Sequence, residues 1–447
     1  MIIPHQSLTG MQPIIVLLYN GIFIPLFLFT IRLASLFNRK VARGLAGRRG
    51  MLPRLQTLCA ALDPNAPRIW IHVASLGEFE QAKPIVREVR ARLPHCRIAI
   101  SFFSPSGFDA AQKYREADLL TYLPVDSWRA TGAFLDILQP AVHLIIRHDI
   151  WPNMQRQLQR RGIPSLLVDA SLTPQRLRTV RALRAVLRPV YASFAEILVT
   201  TAENIAPFRW IYPHPEKISV SGDTRYDQVN LRALENGKID ALRASGRFRR
   251  ERCVVAGSTW PSDEKIILPA LIASLQRHAE MTLVIAPHET TVEHLRGIET
   301  ALAAADISWV RLAGFADAGP FRVLLIDRVG LLANLYALGG LAFVGGGFGP
   351  GVHSVLEPAA HGCAVAFGPR HINSLEAAAL RGCGGGTMIA TTGDMQQLLD
   401  TFLGEGPAVQ QSGAAALRMV QENLGASGRV VDAIIRQLPA GEERNHG

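Results

Sequence analysis

The chain has 447 residues, of which 48% are apolar and 19% are charged. This length is enough for two or three domains, and the composition excludes a disordered or collagen-like protein. The formal net charge is +10, but residues 1–62 carry seven lysines and arginines and no acid. This distribution excludes a nucleic-acid-binding domain with evenly spread basic charge and favours a local partner at the N-terminus.

Residues 11–31 are uncharged and mostly apolar, MQPIIVLLYNGIFIPLFLFTI. A helix of about 20 such residues can cross a hydrocarbon core of roughly 30 Å. The basic residues follow this stretch, whereas a cleaved signal peptide carries them before it. The sequence therefore predicts a membrane anchor with its basic flank over residues 1–40, and the rest of the chain in the cytoplasm. Pro25 and Asn20 weaken a spanning helix, so a shallow anchor or a buried core helix are the alternatives.

After residue 66, short apolar segments alternate with longer amphipathic ones, which is typical of parallel sheets with crossover helices. Each half of the chain suits one doubly wound domain, so we predict domains over 41–215 and 216–447. Ligands are then expected beyond the carboxyl ends of the strands, in a cleft between the domains. The predicted strands are 68–73, 97–101, 143–146, 165–168 and 196–199 in the first half, and 252–256, 282–286, 323–326, 341–344 and 364–367 in the second.

The segment HVASLGEFEQAKP (72–84) begins as an apolar strand and continues as a helix. The loop between them contains Ser75, Gly77 and Glu78, at the end of the strand where doubly wound domains bind ligands. A carboxylate placed there can take the proton of an acceptor hydroxyl, so Glu78 is the candidate general base. The alternative is a carboxylate that only interacts with the positive end of the helix dipole.

The segment VGGGFGPGVHSVLEPAAHG (344–362) has the order strand, glycine-rich loop and helix. The glycines at 345–347 allow the backbone to approach a phosphate, which the amides at the helix N-terminus can bind. It is not a dinucleotide fingerprint, because Pro350 occupies the place of the third glycine, and no P-loop motif is present. Glu357 is either a ligand for ribose hydroxyls or, with Ser354, part of a capping box.

Three more loops follow predicted strands of the second half and carry polar side chains. They contribute Ser258 with Thr259, then His288, and then Asn373. Each group alone could be a helix cap or a turn, but together they would meet at one edge of a sheet. The histidines have no zinc-type spacing and the five cysteines form no CxxC pattern, so the sequence predicts no metal or other cofactor and indicates reduced thiols in the cytosol.

Several segments together resemble the bacterial 3-deoxy-D-manno-octulosonic acid (Kdo) transferases of lipopolysaccharide assembly, from the N-terminal stretch to about residue 380. The segments that carry the resemblance are WIHVASLGEFEQAKP (70–84), YLPVD (122–126), DIWPN (149–153), SGDTRYDQV (221–229), AGST (256–259) and GGGFGPGVHSVLEPAAHGCAVAFGP (345–369). The last of these is long and specific, which makes a chance match improbable.

The resemblance implies an α/β protein with the GT-B fold, in which two Rossmann-like domains surround a cleft, and an N-terminal anchor in the cell inner membrane. It implies inverting, metal-independent transfer of Kdo from CMP-Kdo to the lipid A precursor (lipid IVA) on the cytoplasmic side, with membrane lipid and no nucleic acid as a further partner. Glu78 would be the general base. The residues implied on the donor side are Ser258, Thr259, His288, Gly345, Gly346, Gly347, His353, Ser354, Glu357 and Asn373. Those implied for the acceptor or an anion are Ser75, Gly77, Arg147 and Asp149.

The chain departs from the family pattern at RHDIWP (147–152), where many relatives have Glu-Thr-Glu-Ile-Trp-Pro and another branch has a basic residue. Strand alternation predicts that Arg147 and Asp149 lie on one side. There Arg147 would bind an anionic substrate group, or form a local salt bridge with Asp149. Two other functions stay open, namely a GT-B glycosyltransferase with a different nucleotide sugar, and a non-catalytic protein that binds nucleotide or lipid.

Overall fold

The computed structural model describes residues 13–172, 178, 183–235, 237–372, 374–404 and 406–439. The chain divides into two units, one formed by Met1–Gln228 with Gly425–Gly447 and the other by Val229–Leu424. Each unit contains one parallel sheet of seven strands with helices along it. Two doubly wound α/β units are therefore confirmed.

The strands of the first unit alternate with helices, as parallel pairing requires. Its strands are β1 (Arg68–Val73), β2 (Arg97–Phe102), β3 (Leu119–Tyr122), β4 (Val142–Ile146), β5 (Ser165–Ala170), β6 (Glu196–Val199) and β7 (Ile218–Val220). Its helices are α1 (Pro13–Phe37), α2 (Arg39–Arg48), α3 (Met51–Ala60), α4 (Leu76–Arg92), α5 (Pro105–Ala111), α6 (Trp128–Leu138), α7 (Pro152–Arg160), α8 (Arg184–Tyr191), α9 (Ile205–Arg209) and α10 (Thr224–Leu234), which continues into the second unit.

The second unit repeats this plan. Its strands are β8 (Cys253–Thr259), β9 (Thr282–Pro287), β10 (Trp309–Arg311), β11 (Val323–Leu325), β12 (Leu341–Val344), β13 (Ala364–Phe367) and β14 (Gly386–Met388). Its helices are α11 (Asp240–Ala244), α12 (Pro261–Arg277), α13 (Val292–Ala304), α14 (Leu332–Leu335), α15 (Leu356–Ala360), α16 (Leu375–Gly382), α17 (Thr392–Leu403) and α18 (Ala408–Glu422). The last helix, α19 (Ala426–Gln437), belongs to the first unit.

The strand order reverses at one place in each sheet. The first sheet runs β3-β2-β1-β4-β5-β6-β7, and the second runs β10-β11-β9-β8-β12-β13-β14. In the first sheet, the connections after β1 and after β4 run toward opposite edges of the sheet. The same holds for β8 and β12 in the second sheet, so these two pairs are the topological switch points. Ligands of doubly wound sheets bind beyond the carboxyl ends of such strands, so the loops after these four strands are the first places to look for a site.

Helix α19 returns to the first unit, which differs from the sequence expectation that everything after residue 215 forms the second domain. Val430, Val431 and Ile434 are fully buried in the same cluster as the residues of β1 and α4. The start of α19 is held by Asp227, which accepts hydrogen bonds from the amides of Gly425 (2.7 Å) and Ser427 (2.6 Å). Burial of this apolar face and the cap together explain why the helix packs on the first sheet.

Helix α1 is 25 residues long, has a mean hydropathy of 2.4 and exposes most of its apolar side chains. A buried core helix would hide them, so that alternative is wrong. Its half-buried positions recur every three or four residues and face the body of the first unit. There Tyr19 donates a hydrogen bond to Asp126 (2.8 Å), and Asn20 bonds to Asn153 (2.7 Å). Length and composition would allow this helix to cross a membrane, which on its own is weak evidence for an anchor.

Candidate active site

Glu78 lies in the first turn of α4, immediately after β1 at the first switch point. Ser75 caps the helix by accepting from the Glu78 amide (3.3 Å), and the Glu78 carboxylate accepts from the Ala74 amide (2.5 Å). Ser75 and Gly77 are exposed, and Glu78 is half-buried. One carboxylate oxygen thus accepts a hydrogen bond from the backbone at the start of the helix. The second oxygen can accept from a further partner.

Burial raises the pKa of Glu78 above its ordinary value, and the nearby charge of Asp149 raises it further. The Ala74 amide, His72 and Arg147 act in the opposite direction without cancelling this effect. A carboxylate whose pKa is shifted toward neutrality is a better proton acceptor than an ordinary glutamate. The local environment therefore suits a general base.

Asp149 and His72 form a hydrogen-bonded pair beside Glu78. The His72 ring is buried, and its Nε2 lies 2.8 Å from Asp149 Oδ2, while its Nδ1 lies 2.9 Å from Ser101 Oγ. Because a carboxylate can only accept, Nε2 carries a proton, and in the neutral ring Nδ1 accepts from Ser101. Burial favours the neutral acid, but the hydrogen bond and charge of His72 outweigh it and lower the pKa of Asp149. Asp149 is therefore an anion fixed in position.

Asp149 pairs with His72 and not with Arg147, so the alternative of a local salt bridge between Arg147 and Asp149 is wrong. The Arg147 backbone is left-handed, with φ of 69°, and its amide donates to the Val168 carbonyl (2.8 Å). A left-handed residue interrupts the extended backbone, so strand alternation does not continue from Arg147 to Asp149. Within the described residues the Arg147 Nε is buried and has no hydrogen-bond partner. A buried guanidinium nitrogen of this kind can bind an incoming anion.

The sequence reading missed a cluster of buried acids at the end of β5. Asp169 has a left-handed backbone (φ 53°) and accepts from Gln81 (3.0 Å) and from the amide (3.1 Å) and hydroxyl of Thr224. Burial and the nearby charge of Asp223 raise the pKa of Asp169 to about 7, and the charge of Arg147 opposes the rise. The available signal was an acid ending an apolar strand together with the SGDTRYD segment, which carried the family resemblance but to which no site residue was assigned.

The charge of Arg147 lowers the pKa values of Glu78, Asp169 and Asp223 alike. One guanidinium thus acts on three carboxyl groups that come from different loops at the same edge of the sheet. Asp223 is bonded at both oxygens by Arg225, at 3.0 and 2.6 Å, so its charge is already compensated. Arg147 is therefore one cation close enough to act on all three carboxyl groups.

In the second unit, Asp263 organises the glycine loop. This carboxylate is fully buried and accepts from the amides of Trp260 (2.9 Å), Gly346 (2.7 Å) and Phe348 (3.0 Å). The amides of Gly346 and Phe348 thus donate to Asp263. This corrects the expectation that the glycine loop offers its amides to a phosphate. Asp263 was missed because DE at 263–264 resembles an ordinary acidic first turn.

The three glycines are needed for close packing between strand ends. A Cβ on Gly345 would collide with the Ser258 carbonyl, and one on Gly347 would lie 2.5 Å from the Gly368 Cα. Gly346 adopts φ of 91°, which a larger side chain rarely does. Glycine at 345–347 therefore lets the ends of β8, β12 and β13 approach one another and shapes the loop.

An aromatic stack stands at the end of β8, β9 and β12. Trp260 and His353 lie side by side in nearly the same plane, and His288 stacks over both, with its ring centroid 4.5 Å from that of Trp260 and 4.6 Å from that of His353. The Trp260 Nε1 donates to His353 Nε2 (3.0 Å). Burial and the neighbouring His288 lower the pKa of His353, which stays neutral at pH 7. His288 is exposed, so the stack presents a flat polar surface that suits a base or a sugar.

The other predicted donor residues are less uniform in position. Ser258 is half-buried with a left-handed backbone, whereas Thr259 is fully buried and donates to Glu264 (2.7 Å). Ser354 is exposed and does not cap α15, which begins at Leu356, so the predicted capping box with Glu357 is absent. Glu357 accepts from Arg232 instead (3.1 Å). Asn373 lies outside the described residues.

Among the residues that the structure describes, no group of three or more His, Cys, Asp or Glu side chains could hold a metal ion. The described histidines at 288 and 353 are engaged with each other and with Trp260. The site chemistry described above therefore rests on carboxylates, one guanidinium and an aromatic stack.

The first half of the chain matches a known family. Residues 44–228 match the family model described as 3-deoxy-D-manno-octulosonic-acid transferase (kdotransferase). A curated 3-deoxy-D-manno-octulosonic acid transferase from Haemophilus influenzae is 27% identical over 419 residues, which cover 92% of this chain and 95% of the relative. Another from Bordetella pertussis is 27% identical over 389 residues, covering 83% of this chain and 87% of the relative.

Solved structures support the fold. A UDP-GlcNAc 2-epimerase from Neisseria meningitidis superimposes with a TM-score of 0.59 over 83% of this chain and 100% of its own, at 14% identity. A putative UDP-N-acetylglucosamine 2-epimerase from Listeria monocytogenes gives a TM-score of 0.58 over 83% of this chain and 96% of its own, at 13% identity. At such identities the likeness concerns the fold alone. With the two parallel sheets, it confirms the GT-B fold.

Proposed function

We propose that this chain is a 3-deoxy-D-manno-octulosonic acid (Kdo) transferase like the curated relatives it resembles, and that it transfers Kdo from CMP-Kdo to the lipid A precursor (lipid IVA) with inversion. The family match and the relatives that span most of the chain support a Kdo-type glycosyltransferase of lipopolysaccharide assembly. The donor, the acceptor and the stereochemistry are parts of the proposal.

The observation that carries the proposal is the environment of Glu78. It lies after β1 at the switch point, half-buried, with a raised pKa and with two fixed charges close by, Asp149 and Arg147. This is the combination that a general base for a sugar hydroxyl needs, because the base must be anionic at neutral pH and still hold a proton in the transition state. Glu78 is therefore assigned as the catalytic residue.

In the proposed reaction the acceptor hydroxyl gives its proton to the Glu78 carboxylate while its oxygen attacks the anomeric carbon of Kdo. The bond from that carbon to the phosphate oxygen of CMP breaks, and CMP leaves with the electron pair. Inversion follows because the new bond forms on the face opposite the leaving group. Arg147 binds an anionic group of the substrates, either the Kdo carboxylate or a lipid phosphate, and Asp149 with His72 orients it.

On the donor side, the proposal gives the aromatic stack and the adjacent loops to CMP-Kdo. His288 offers a flat surface, and Ser258, His353 and Ser354 supply polar atoms near the ends of β8 and β12. Because Asp263 occupies the amides of Gly346 and Phe348, the glycines act by allowing close approach, and the side chains make the contacts to the nucleotide. Glu357 is the proposed ligand of the ribose hydroxyls.

We place the protein at the cytoplasmic face of the cell inner membrane. The support is the exposed apolar surface of α1 and the cations that follow it, since each lysine or arginine near an anionic leaflet adds about 1 kcal/mol of attraction. Lipid IVA would then be reached from the membrane surface.

Replacing Arg147 tests its proposed role. Arg147→Lys should lower activity about tenfold or more, because lysine keeps the charge but loses the bidentate geometry, and one decade corresponds to about 1.4 kcal/mol. Arg147→Glu, which restores the residue of many relatives, should inactivate this enzyme because it reverses the charge beside Asp169 and Asp223. The measurement is kcat/KM for both substrates, and a fully active Arg147→Glu protein would remove Arg147 from substrate binding.

Glu357→Ala should weaken CMP binding more than it lowers the melting temperature. The helix cap that would have made Glu357 a stability residue is absent, and its ion pair joins a largely buried carboxylate to a partly exposed Arg232, so its loss should cost on the order of 1 kcal/mol. Calorimetry with CMP and thermal unfolding separate the two effects. A clear fall in melting temperature with unchanged CMP affinity would assign Glu357 a structural role only.

Donor choice is the test of the proposed function against other GT-B glycosyltransferases. The wild-type protein is mixed with CMP-Kdo, UDP-GlcNAc or UDP-glucose, and binding is measured by calorimetry in detergent micelles. We expect binding of CMP-Kdo and of CMP, and none of the UDP-sugars at the same concentration. Preferential binding of a UDP-sugar would overturn the proposed donor and leave the fold assignment intact.

A further inference from the structure

A cavity of about 320 Å³ opens in the first unit beside α1. It lies between α1, α2 and the loops that follow β2, β3 and β4, and its walls are mostly apolar. The residues that define it are Phe27, Ile31, Val41, Leu45, Phe103 and Trp151. This volume is at the small end of the range of ligand pockets, which is about 300–1,000 Å³.

The inner wall of the cavity is aromatic and well fixed. Trp151 contacts Phe27 of α1, with ring centroids 5.6 Å apart, and stacks on Phe103 at 5.5 Å. Arg48 covers Phe103 at 4.9 Å, and its guanidinium donates to the carbonyls of Phe103 (2.8 Å) and Leu123 (2.9 Å). These contacts fix the wall, in which the buried Trp151 Nε1 has no hydrogen-bond partner among the described residues.

The one acid that lines the cavity is already satisfied. Asp126 accepts from the Tyr19 hydroxyl (2.8 Å) and from the amides of Asn153 (2.9 Å) and Met154 (2.8 Å). Its carboxylate therefore holds α1 and α7 in place, and both of its oxygens already accept hydrogen bonds from the protein. The occupant that fits such a lining is a hydrocarbon chain.

Two features relate the cavity to a lipid rather than to a soluble apolar molecule. The outer face of α1 exposes large apolar side chains, so the cavity is next to a surface of the same chemistry. Residues 1–62 carry seven cations and no acid, and two of the cations, Lys40 and Arg48, line the cavity, so an anionic headgroup is favoured. A third feature connects it to the reaction: Trp151 of the inner wall is two residues from Asp149, whose charge acts on Glu78.

We propose that this cavity binds one acyl chain of the lipid acceptor and so presents the acceptor sugar to Glu78. This inference rests on the proposed function for the identity of the lipid, and on the cavity alone for the acyl chain. The cavity depends on the contacts of Tyr19 with Asp126 and of Asn20 with Asn153, because they fix α1 as one of its walls. The acceptor is then selected partly by its chain and not only by its sugar.

The first experiment fills the cavity. Val41→Trp adds a large side chain at its wall, and Ala46→Trp adds the same side chain on the exposed side of the same helix as the matched control. Each full-length protein in detergent micelles is assayed with a tetra-acylated lipid A precursor and with its fully deacylated counterpart. We expect Val41→Trp to raise KM for the acylated acceptor about tenfold, since excluding about two methylenes costs roughly one decade in affinity.

The deacylated acceptor should react equally well with wild type, Val41→Trp and Ala46→Trp. If Val41→Trp does not change KM for the acylated acceptor, or changes both acceptors equally, the cavity does not bind an acyl chain of the acceptor. If wild type transfers Kdo to neither acceptor, the proposed function fails, and the second experiment still decides the cavity.

The second experiment needs no activity. The fluorescence of Trp151 is isolated by comparison with Trp151→Phe, and lipids brominated on the acyl chain are added as quenchers. We expect quenching by a brominated lipid A precursor, and loss of that quenching in Val41→Phe, which narrows the cavity without adding a tryptophan. No quenching by the brominated acceptor would overturn the proposal, and equal quenching by a brominated phospholipid would overturn its assignment to the acceptor.

Discussion

Glu78→Gln is expected to abolish Kdo transfer while CMP-Kdo binding stays unchanged. The amide keeps the size of the side chain and can still accept from the Ala74 amide, but it cannot take the proton of the acceptor hydroxyl. General base catalysis is typically worth roughly 10²–10⁴ in rate, so kcat should fall by that factor. Single-turnover kinetics with CMP-Kdo and lipid acceptor measure it.

Stability provides the control for Glu78→Gln. Burial raises the folded-state pKa of Glu78, so the protonated form is favoured by folding and its stabilising contribution is lost as pH rises through that pKa. At neutral pH the neutral glutamine should therefore not lower the melting temperature. For the same reason the acid limb of kcat/KM in the wild type should lie above the ordinary pKa of glutamate, about 4.3. A variant within a few-fold of wild type would remove Glu78 from the mechanism.

Asp263→Ala should have the second largest effect. It leaves the amides of Trp260, Gly346 and Phe348 without their acceptor, and each buried unsatisfied donor costs about 1–3 kcal/mol. We expect a clear fall in the melting temperature and loss of CMP binding, because the glycine loop loses its anchor. Thermal unfolding and calorimetry with CMP measure the two effects.

Asp394→Ala is the matched control for Asp263→Ala. Asp394 also accepts from two backbone amides at a helix start, those of Ala390 and Thr391 (both 2.9 Å), but it is exposed and lies far along the chain. Its loss should lower the melting temperature less than Asp263→Ala does and leave CMP binding intact. Asp263→Asn keeps one acceptor oxygen, so its melting temperature and its CMP affinity should lie between those of Asp263→Ala and Asp394→Ala. Wild-type CMP affinity in a folded Asp263→Asn or Asp263→Ala protein would contradict the role of Asp263.

The fold was largely predictable, and the four strands that were missed share a physical reason. They are β3, β7, β10 and β14, the edge strands of the two sheets. A central strand of a parallel sheet is buried on both faces and reads as a continuous apolar run, whereas an edge strand is short and less buried. Three of these strands have only three residues, so their sequences carry little pattern.

The site was predictable where one loop holds the chemistry and not where several loops cooperate. Glu78 follows a clear strand-loop-helix pattern, and its position at the switch point agrees with the prediction. The prediction that strand alternation relates Arg147 to Asp149 failed because Arg147 has a left-handed backbone. The sequence does not show that backbone angle. Asp263 and Asp169 act on segments far away in the chain, which a local reading cannot reveal.

The central claim is transfer of Kdo from CMP-Kdo to a lipid A precursor, and the mass of the lipid product tests it most directly. The purified full-length protein is incubated in detergent with CMP-Kdo and the tetra-acylated precursor, and the lipid is examined by mass spectrometry. We predict a lipid heavier by at least one Kdo residue, release of CMP, and no such product with Glu78→Gln. An unchanged lipid mass with intact CMP-Kdo, or a product formed from a UDP-sugar instead, would contradict the claim.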